Sequence, residues 1–377
     1  AYTARRPEYL LNVRSQQLSA FPDQPDHFLN WLRITKADSC TNSFCSRQSY
    51  GRYLQQLMGQ VLEWPSSNGI RCYWHAQAAT AVLPGARQAT VRLADGTTLS
   101  SDYVVLALGN FAPPPPARTD LRYLTHPSYH GNPWAQGALR TIGPDDPVLL
   151  IGSGLTAVDV LMGLHADGHR GPITVVSGHG RWPAAHRLHP EEAYPGCIWQ
   201  AWPLEEQARF LRHLGGIWSV VRHRSPPQNA ATLAHLLDTG QVQVVPGRVD
   251  HILPANSHTL TVHVRHAGRA VPPLTARHVV ACHGPLLDYS RIQEPLVAGL
   301  RAVGHLCPDP LHLGILTDEH GALRTAQGDV SDRLFTLGPS RRPACFESTA
   351  VPELRQQAVN LAQELGRRLL AQQVAAY

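Results

Sequence analysis

The stretch that most constrains this chain is VLLIGSGLTAVDV, Val148 to Val160. A short, wholly apolar run reads as a strand buried on both faces, and such strands belong in a parallel sheet covered by other layers. The run is followed at once by Gly-x-Gly-x-x-Ala, the entry to a dinucleotide-binding βαβ unit. In such a unit Gly152 makes the tight turn, Gly154 lets the backbone approach a pyrophosphate, and Ala157 permits close packing of helix on strand. The helix N-terminus adds unpaired N–H groups and the positive end of its dipole. The glycine pattern alone is weak evidence, but here it follows a clear strand and opens a clear helix. The alternative is a tight turn in a sheet that binds nothing. The predicted helix runs from Gly154 to about Ala166, with Leu155, Val158 and Met162 at the three-and-four spacing of a buried face. The turn DGHRG and the strand ITVVS close the unit by Gly180.

The end of that second strand chooses between NAD and NADP. An acid there holds a ribose hydroxyl, whereas its absence beside basic residues favours a 2′-phosphate. Ser177 lies about 20 residues past Gly154, the expected separation. The sequence there is SGHGRWPAAHR: no acid, but Ser177, His179, Arg181, His186 and Arg187, all able to donate hydrogen bonds. NADP(H) is therefore the preferred nucleotide. The alternative is that His179 and Arg181 are solvated loop residues.

Composition narrows the class. A chain of 377 residues has room for two or three domains, and 43% hydrophobic with 16% charged residues is globular rather than disordered. No apolar run approaches the ~20 residues that span a bilayer, and no leader resembles a signal peptide, so the expectation is a soluble, cytoplasmic protein without membrane contact. The net charge of +5 is spread singly apart from RHR at 222–224 and RR at 341–342, which is not the footprint of a nucleic-acid binder. The seven cysteines are irregularly spaced and include no C-x-x-C, so no disulfide framework, zinc ribbon or exchange dithiol is expected. No H-E-x-x-H occurs among the 21 histidines, and no metal site is expected.

Along the chain, residues 71–99 alternate in a β-like way, with an Asp-Gly turn at Asp95–Gly96. DYVVLALGN (102–110) is a buried strand ending in glycine, and the four prolines after it form a stiff connector. Residues 204–221 have helical spacing, 241–264 return to β alternation, and ARHVVACHGP (276–285) and DRLFTLGPS (332–340) echo the strand at 102–110. The last segment, from Val351, is a long amphipathic helix with Pro352 near its start, where a proline is tolerated.

The stretches LLNVRSQQLSAFPDQPDHFLNWL (10–32), SRQSYGRYL (46–54), GSGLTAVDV, RFLRHLGGIWSVVRHRSPP (209–227), CHGP (282–285) and ESTAVPELRQQA (347–358) together resemble a bacterial branch of FAD/NAD(P)-binding proteins. That branch is related to flavin-containing monooxygenases and to the ornithine and lysine N-hydroxylases. The resemblance implies an α/β fold with two Rossmann-like dinucleotide-binding domains, the NADP domain inserted in a split FAD domain. The expected divisions are 1–120 and 276–377 for the FAD domain and 140–275 for the NAD(P) domain with its β-rich return. Members of the family begin with a strand, a G-x-G-x-x-G turn and a helix. No such glycine pattern precedes LLNVRSQQLSAF here, so the first βαβ of the FAD domain, roughly 40–50 residues, is expected to be missing. Removing a central strand would leave an open edge and weak FAD binding; the rival is a protein that has lost flavin binding altogether.

By the same resemblance Asn12, Arg14, Ser19 and Arg47 lie near the flavin or its pyrophosphate. Gly109 and Gly338 sit at ligand-facing strand ends, and Thr349, Ala350 and Val351 pack a helix start against the flavin, with Glu347 nearby. RHLGGIWSVVRHR caps a substrate or is an amphipathic surface helix. No Ser–His–Asp or paired-carboxylate pattern stands out, and flavin chemistry needs none. The implied activity is that of an FAD-dependent, NADPH-using oxidoreductase, monooxygenase-like, carrying out N- or S-oxygenation of a small molecule. The alternatives are a reductase or dehydrogenase on the same scaffold, or a non-catalytic NADP-binding protein.

Overall fold

A computed structural model describes residues 6–35, 44–63, 70–117, 119–187 and 197–375. Cys40, one of the seven cysteines, lies outside them. The chain opens with α1 (His27–Thr35) and α2 (Arg47–Glu63), then β1 (Ala79–Pro84), β2 (Ala89–Leu93), β3 (Thr98–Ser101) and β4 (Val104–Leu106). The middle contains β5 (Tyr129–His130), β6 (Val148–Ile151), α3 (Leu155–Ala166) and β7 (Ile173–Ser177). It continues through α4 (Cys197–Ala201), α5 (Leu204–His213), α6 (Gly215–Arg222) and α7 (Pro227–Asp238). There follow β8 (Val242–Pro246), β9 (Arg248–Asn256), β10 (Thr259–His266), β11 (Arg269–Ala270), β12 (Leu274–Ala276) and β13 (His278–Ala281). The last part is α8 (Pro295–Ala302), β14 (Ala322–Arg324), β15 (Val330–Thr336) and α9 (Val351–Ala375).

The middle of the chain builds a parallel sheet of order β5-β13-β6-β7-β8. Alternation along its strands sends Val148, Leu150, Val175 and Val280 against α3 and α7, where Ala157, Val158, Leu161, Leu233 and Leu236 complete one core. Leu149, Ile151, Val176 and Val279 point the other way, onto Ile252, Leu260, Val262 and Val264 of the antiparallel β9–β10 ribbon. Both faces are thus covered, which is why every residue of β6 is apolar and buried. Because β7 lies on one side of β6 and β13 on the other, the strand order reverses at β6. A crevice for ligands opens in such sheets outside the carboxyl ends of the strands at that reversal.

The flanking parts of the chain build a second core. β4 pairs in parallel with β15, which pairs antiparallel with β14. Together with the β1-β2-β3 sheet and α8 they bury Val82, Leu106, Val297, Leu300, Leu323 and Leu334. The long helix α9 lies against β15 through Phe335 and Leu361. Among the described residues β4 carries a partner strand on one edge only, and Val105 is 38% exposed there.

Three details differ from the pattern in the sequence. Residues 71–78 form no strand; they are exposed, and the first cross-chain bond, from Ala94 N–H to the Ala78 carbonyl at 2.9 Å, comes just before β1 begins. The helical segment 204–221 is two helices that meet at Leu214–Gly215, a Gly-Gly pair being a poor helix interior. Helix α3 is buried continuously from Ala157 to Leu164, not along one stripe. The N-terminal segment crosses its far side, so that a Cβ on Gly163 would stand 2.8 Å from the Tyr9 hydroxyl.

Beneath the parallel sheet, His130 Nε2 and His278 Nδ1 share a hydrogen bond of 3.0 Å, and His278 Nε2 meets Asp146 Oδ2 at 3.2 Å. Arg277 also pairs with Asp146, at 3.1 Å. Burial, reinforced by His278, pushes the His130 pKa down to about 4, and burial lowers His278 against the pull of Asp146. Both groups therefore bind protons less readily folded than unfolded. Their contribution to stability is complete above the ordinary histidine value and is lost as the pH falls below it. Between about pH 7 and about pH 4 the wild type is expected to lose about 3 kcal/mol more unfolding free energy than His130→Asn. Urea unfolding at each pH reads this directly, and equal losses in the two proteins would refute it.

Candidate functional site

The turn between β6 and α3 is built around two glycines with different jobs. Gly152 has φ +106°, and a Cβ there would stand 2.7 Å from the Cys282 carbonyl oxygen and 3.0 Å from His283 Cα. Only glycine lets the turn pass the end of β13 this closely. Gly154 is different: its φ of −80° suits any residue, and a Cβ there would meet nothing within 4 Å. Among the described residues no protein atom requires a glycine at 154, which lies exposed at the start of α3. Ala157 is fully buried between helix and sheet.

Polar bonds tie this turn to the end of β7. Ser153 Oγ donates to the Arg181 carbonyl at 2.6 Å, and the Ser153 and Ser177 hydroxyls meet at 2.7 Å. The Ser177 proton is thereby committed to Ser153, leaving its oxygen only acceptor capacity. His179 and Arg181 follow on the exposed loop. The His179 ring faces α6, where a Cβ on Gly216 would stand 3.4 Å from Cδ2.

A second cluster lies at the corresponding ends of β4 and β15. Gly109 (φ +65°) follows β4, and Gly338 (φ +87°) follows β15. The Gly338 N–H donates to Gln357 Oε1 of α9 at 2.8 Å, and a Cβ on Gly338 would stand 3.5 Å from Leu354. The strand end is thus held against the start of α9, where Thr349, Ala350 and Val351 lie. Ser19 joins this cluster through its carbonyl, which accepts from Arg355 at 2.7 Å, while its hydroxyl closes a turn with Phe21 and Gln24. A Cβ on Gly109 would meet nothing within 4 Å. Around the start of α9, Ser348 Oγ, Gln357 Nε2 and Arg342 Nε are buried without a hydrogen-bond partner. Glu353 Oε2, in the first turn of α9, is buried and unpaired as well, so donors and an acceptor both lack partners there.

The remaining N-terminal candidates lie elsewhere. Asn12 offers its carbonyl to His186 Nε2 at 2.9 Å, and Arg14 donates to the Arg187 carbonyl and stacks over Phe44 at 5.3 Å. Both fasten the N-terminal segment to the loop after β7. Arg47 pairs at 3.0 Å with Asp159 of α3, its guanidinium 5.4 Å from the Trp134 ring. Burial pushes Asp159 up to about 6 against the pull of Arg47.

Sequence reasoning left the role of Glu347 and the RHLGGIWSVVRHR helix open, and the structure joins them. Trp218 Nε1–H donates to Glu347 Oε1 at 2.8 Å, with His223 at 3.5 Å and Arg222 at 3.8 Å from the other oxygen. Arg222 also pairs with Glu353 at 3.1 Å. Burial opposes ionisation of Glu347, yet the bonds from His223 and Trp218 and the charge of Arg222 hold its carboxyl below the usual range. Beside it Trp199 stacks on Phe346 at 4.3 Å, and Arg342 lies 4.8 Å over the same phenyl ring. This group bridges α6 of the middle unit to the start of α9.

The two glycines of the first turn should separate in a stability measurement. Gly152→Ala is expected to cost about 2–4 kcal/mol through strain and overlap with β13. Gly154→Ala should cost no more than about 1 kcal/mol. Thermal and urea unfolding of both variants check this, and equal destabilisation would contradict it.

Residues 1–111 match a family described as FAD-NAD(P)-binding. No curated protein matches the chain. Among solved structures, the ornithine N-hydroxylase of Kutzneria sp. 744 superimposes with a TM-score of 0.69 at 14% identity, over 96% of this chain and 88% of that one. The L-lysine 6-monooxygenase of Pseudomonas syringae gives 0.69 at 17% identity, over 96% and 87%. The thioredoxin reductase of Lactococcus lactis is more distant, with 0.53 at 12% identity over 85% and 82%. The chain therefore has the fold of two-nucleotide flavin oxidoreductases, and its first 111 residues carry the FAD-NAD(P)-binding match.

Proposed function

We propose that this chain is an FAD-dependent, NADPH-using oxidoreductase of the monooxygenase kind that oxygenates a nitrogen or sulfur atom of a small molecule. The observation that carries the reading is the pair of glycine turns, Gly152–Gly154 after β6 and Gly109 after β4, at carboxyl ends of strands in two separate sheets of one chain. The Gly152–Gly154 turn would hold the nicotinamide dinucleotide, with Ala157 allowing α3 to approach. Gly109, Gly338 and Thr349 to Val351 would hold the flavin. We assign 140–275 to the NADP unit and 1–120 with 276–377 to the FAD unit. We assign the enzyme to the cytoplasm; among the described residues no helix is long and apolar enough to cross a membrane.

When bound, FAD accepts hydride from NADPH and activates oxygen; the protein supplies position and exclusion of water. The start of α9 has unpaired N–H groups and a positive dipole end that would favour negative charge on a flavin held there. Arg342, half-buried over the Phe346 ring, adds a cation in the segment leading to α9. The bridge of Trp218, Arg222 and His223 to Glu347 closes one wall of the space between the two units.

The Kutzneria structure is one with reduced FAD, NADP+ and L-ornithine, and the Pseudomonas syringae relative is a lysine monooxygenase. A small amine is accordingly the first substrate class to test. The thioredoxin reductase likeness offers a second reading, a flavin reductase. It finds less support: the sequence has no C-x-x-C, and burial raises the pKa of Cys282, the cysteine beside the turn, far above its ordinary value.

The test is a titration with FAD followed by absorbance, then NADPH oxidation with amines and thioethers. Hydroxylated product matching NADPH consumed supports the proposal. Peroxide in equal amount with every substrate would select the reductase reading, and no flavin binding would overturn both. In the same assays Gly154→Ala should weaken NADP+ binding about tenfold or more while leaving the unfolding temperature nearly unchanged.

A further inference from the structure

Next to the end of β7 lies an open cleft of about 510 Å³, lined by Gly178, Gly247, Arg248, Asp250, Arg265 and His266 among others. Its position relative to the glycine turn is fixed by a short chain of bonds. The Gly152–Gly154 turn is joined to Ser177 by the two serine hydroxyls. The Ser177 carbonyl in turn accepts from the Gly247 N–H at 2.9 Å. Gly247 has φ +149°, and a Cβ there would stand 2.5 Å from Val264 Cγ1, so the start of β9 is seated tightly on β10. The next residue is Arg248, whose Nε would lie 4.0 Å from a Cβ on Gly178.

The charges in this cleft are unusual for a ribbon. Arg248 and Arg265 are direct cross-strand partners in the β9–β10 register. Like charges placed opposite one another are unfavourable by about 0.2–1 kcal/mol. Arg265 is matched by Asp250 at 2.9 Å, an acid that also meets His251 at 3.5 Å. Arg248 has no hydrogen bond or ion pair among the described residues. Two arginines lining one open cleft, next to the end of the second strand after the glycine turn, make a binding place for a phosphate dianion. Neither His179 nor Arg181 lines this cleft.

We propose that Arg248, supported by Arg265, receives the 2′-phosphate of NADP, so that the choice of NADP over NAD is made by the β9–β10 ribbon and not by the loop after β7. The inference rests on the proposed binding of a nicotinamide dinucleotide at the Gly152–Gly154 turn. Gly178, bearing no side chain, leaves the ribose a way from that turn to the cleft. Asp250 keeps Arg265 oriented while leaving Arg248 to the phosphate. An acid at the end of β7 is unnecessary in this arrangement, which accords with the sequence SGHGR there.

Calorimetric titrations with NADP+, NAD+, 2′,5′-ADP and 5′-AMP test the assignment without any turnover. The wild type is expected to bind NADP+ and 2′,5′-ADP at least tenfold more tightly than NAD+ and 5′-AMP. Arg248→Ala should abolish most of that ratio while changing NAD+ affinity less than twofold, and Arg248→Lys should restore part of it. His179→Ala and Arg181→Ala should leave the ratio within about twofold. Arg248 is exposed, so its variants are expected to keep the wild-type unfolding temperature. An unchanged ratio in Arg248→Ala, or its collapse in Arg181→Ala, overturns the assignment while leaving nucleotide binding intact. Wild type that prefers NAD+ does the same, whereas wild type that binds no dinucleotide overturns the underlying reading as well.

Discussion

The close passage of the β6–α3 turn over the end of β13 sets the position of everything else in the nucleotide unit. With Gly152 at φ +106° the chain leaves β6, touches the Cys282–His283 backbone and enters α3 within three residues. That approach fixes where the N-terminus of α3 points and where Ser153 stands to reach Ser177 and Arg181. A side chain at 152 would displace the turn, and with it the bonds that carry the β9–β10 ribbon through Gly247. The hydrophobic contribution of the sheet is large, but it is non-directional. The directional information comes from this backbone contact and the hydroxyl bonds around it.

How much of this was legible in the sequence depends on whether the signal was local. VLLIGSGLTAVDV announced strand, turn and helix because its apolar run, glycines and periodicity all fall within one unit, and β6, α3 and β7 lie where the pattern puts them. The long C-terminal helix was legible for the same reason. The Gly-Gly break between α5 and α6 was written in the sequence, yet the amphipathic spacing ran across it. Residues 71–78 alternate like a strand but form none, and alternation alone does not supply a partner strand.

The candidate site was legible as two families of glycines and illegible in its polar wiring. Gly154 and Gly109 stand in open space, and Asn12, Arg14 and Arg47 make bonds to distant segments that no spacing along the chain announces. Arg248 and Arg265 carry no motif; they face each other only because β9 and β10 pair in one register. Glu347 is one acid among many until Trp218, more than a hundred residues earlier, is brought to it. Contacts of this kind are set by topology, which spacing along the chain does not encode.

The N-terminal strap has a mechanical side. Arg6 grips the Gly163 carbonyl and Asp167 at one end of α3, and Arg47 is buried against Asp159 one turn earlier. Elsewhere Trp218 and Arg222 hold α6 to Glu347 and Glu353 ahead of and within α9. A hinge rotation of the middle unit against its flanks would have to break both sets, and separating a buried ion pair such as Arg47–Asp159 alone costs on the order of 3–5 kcal/mol. The two crevices are thus held at a fixed spacing, like jaws bolted open. The middle of the chain and its flanks are in this sense one frame, and any swing of one against the other would first have to undo bonds at two separate places.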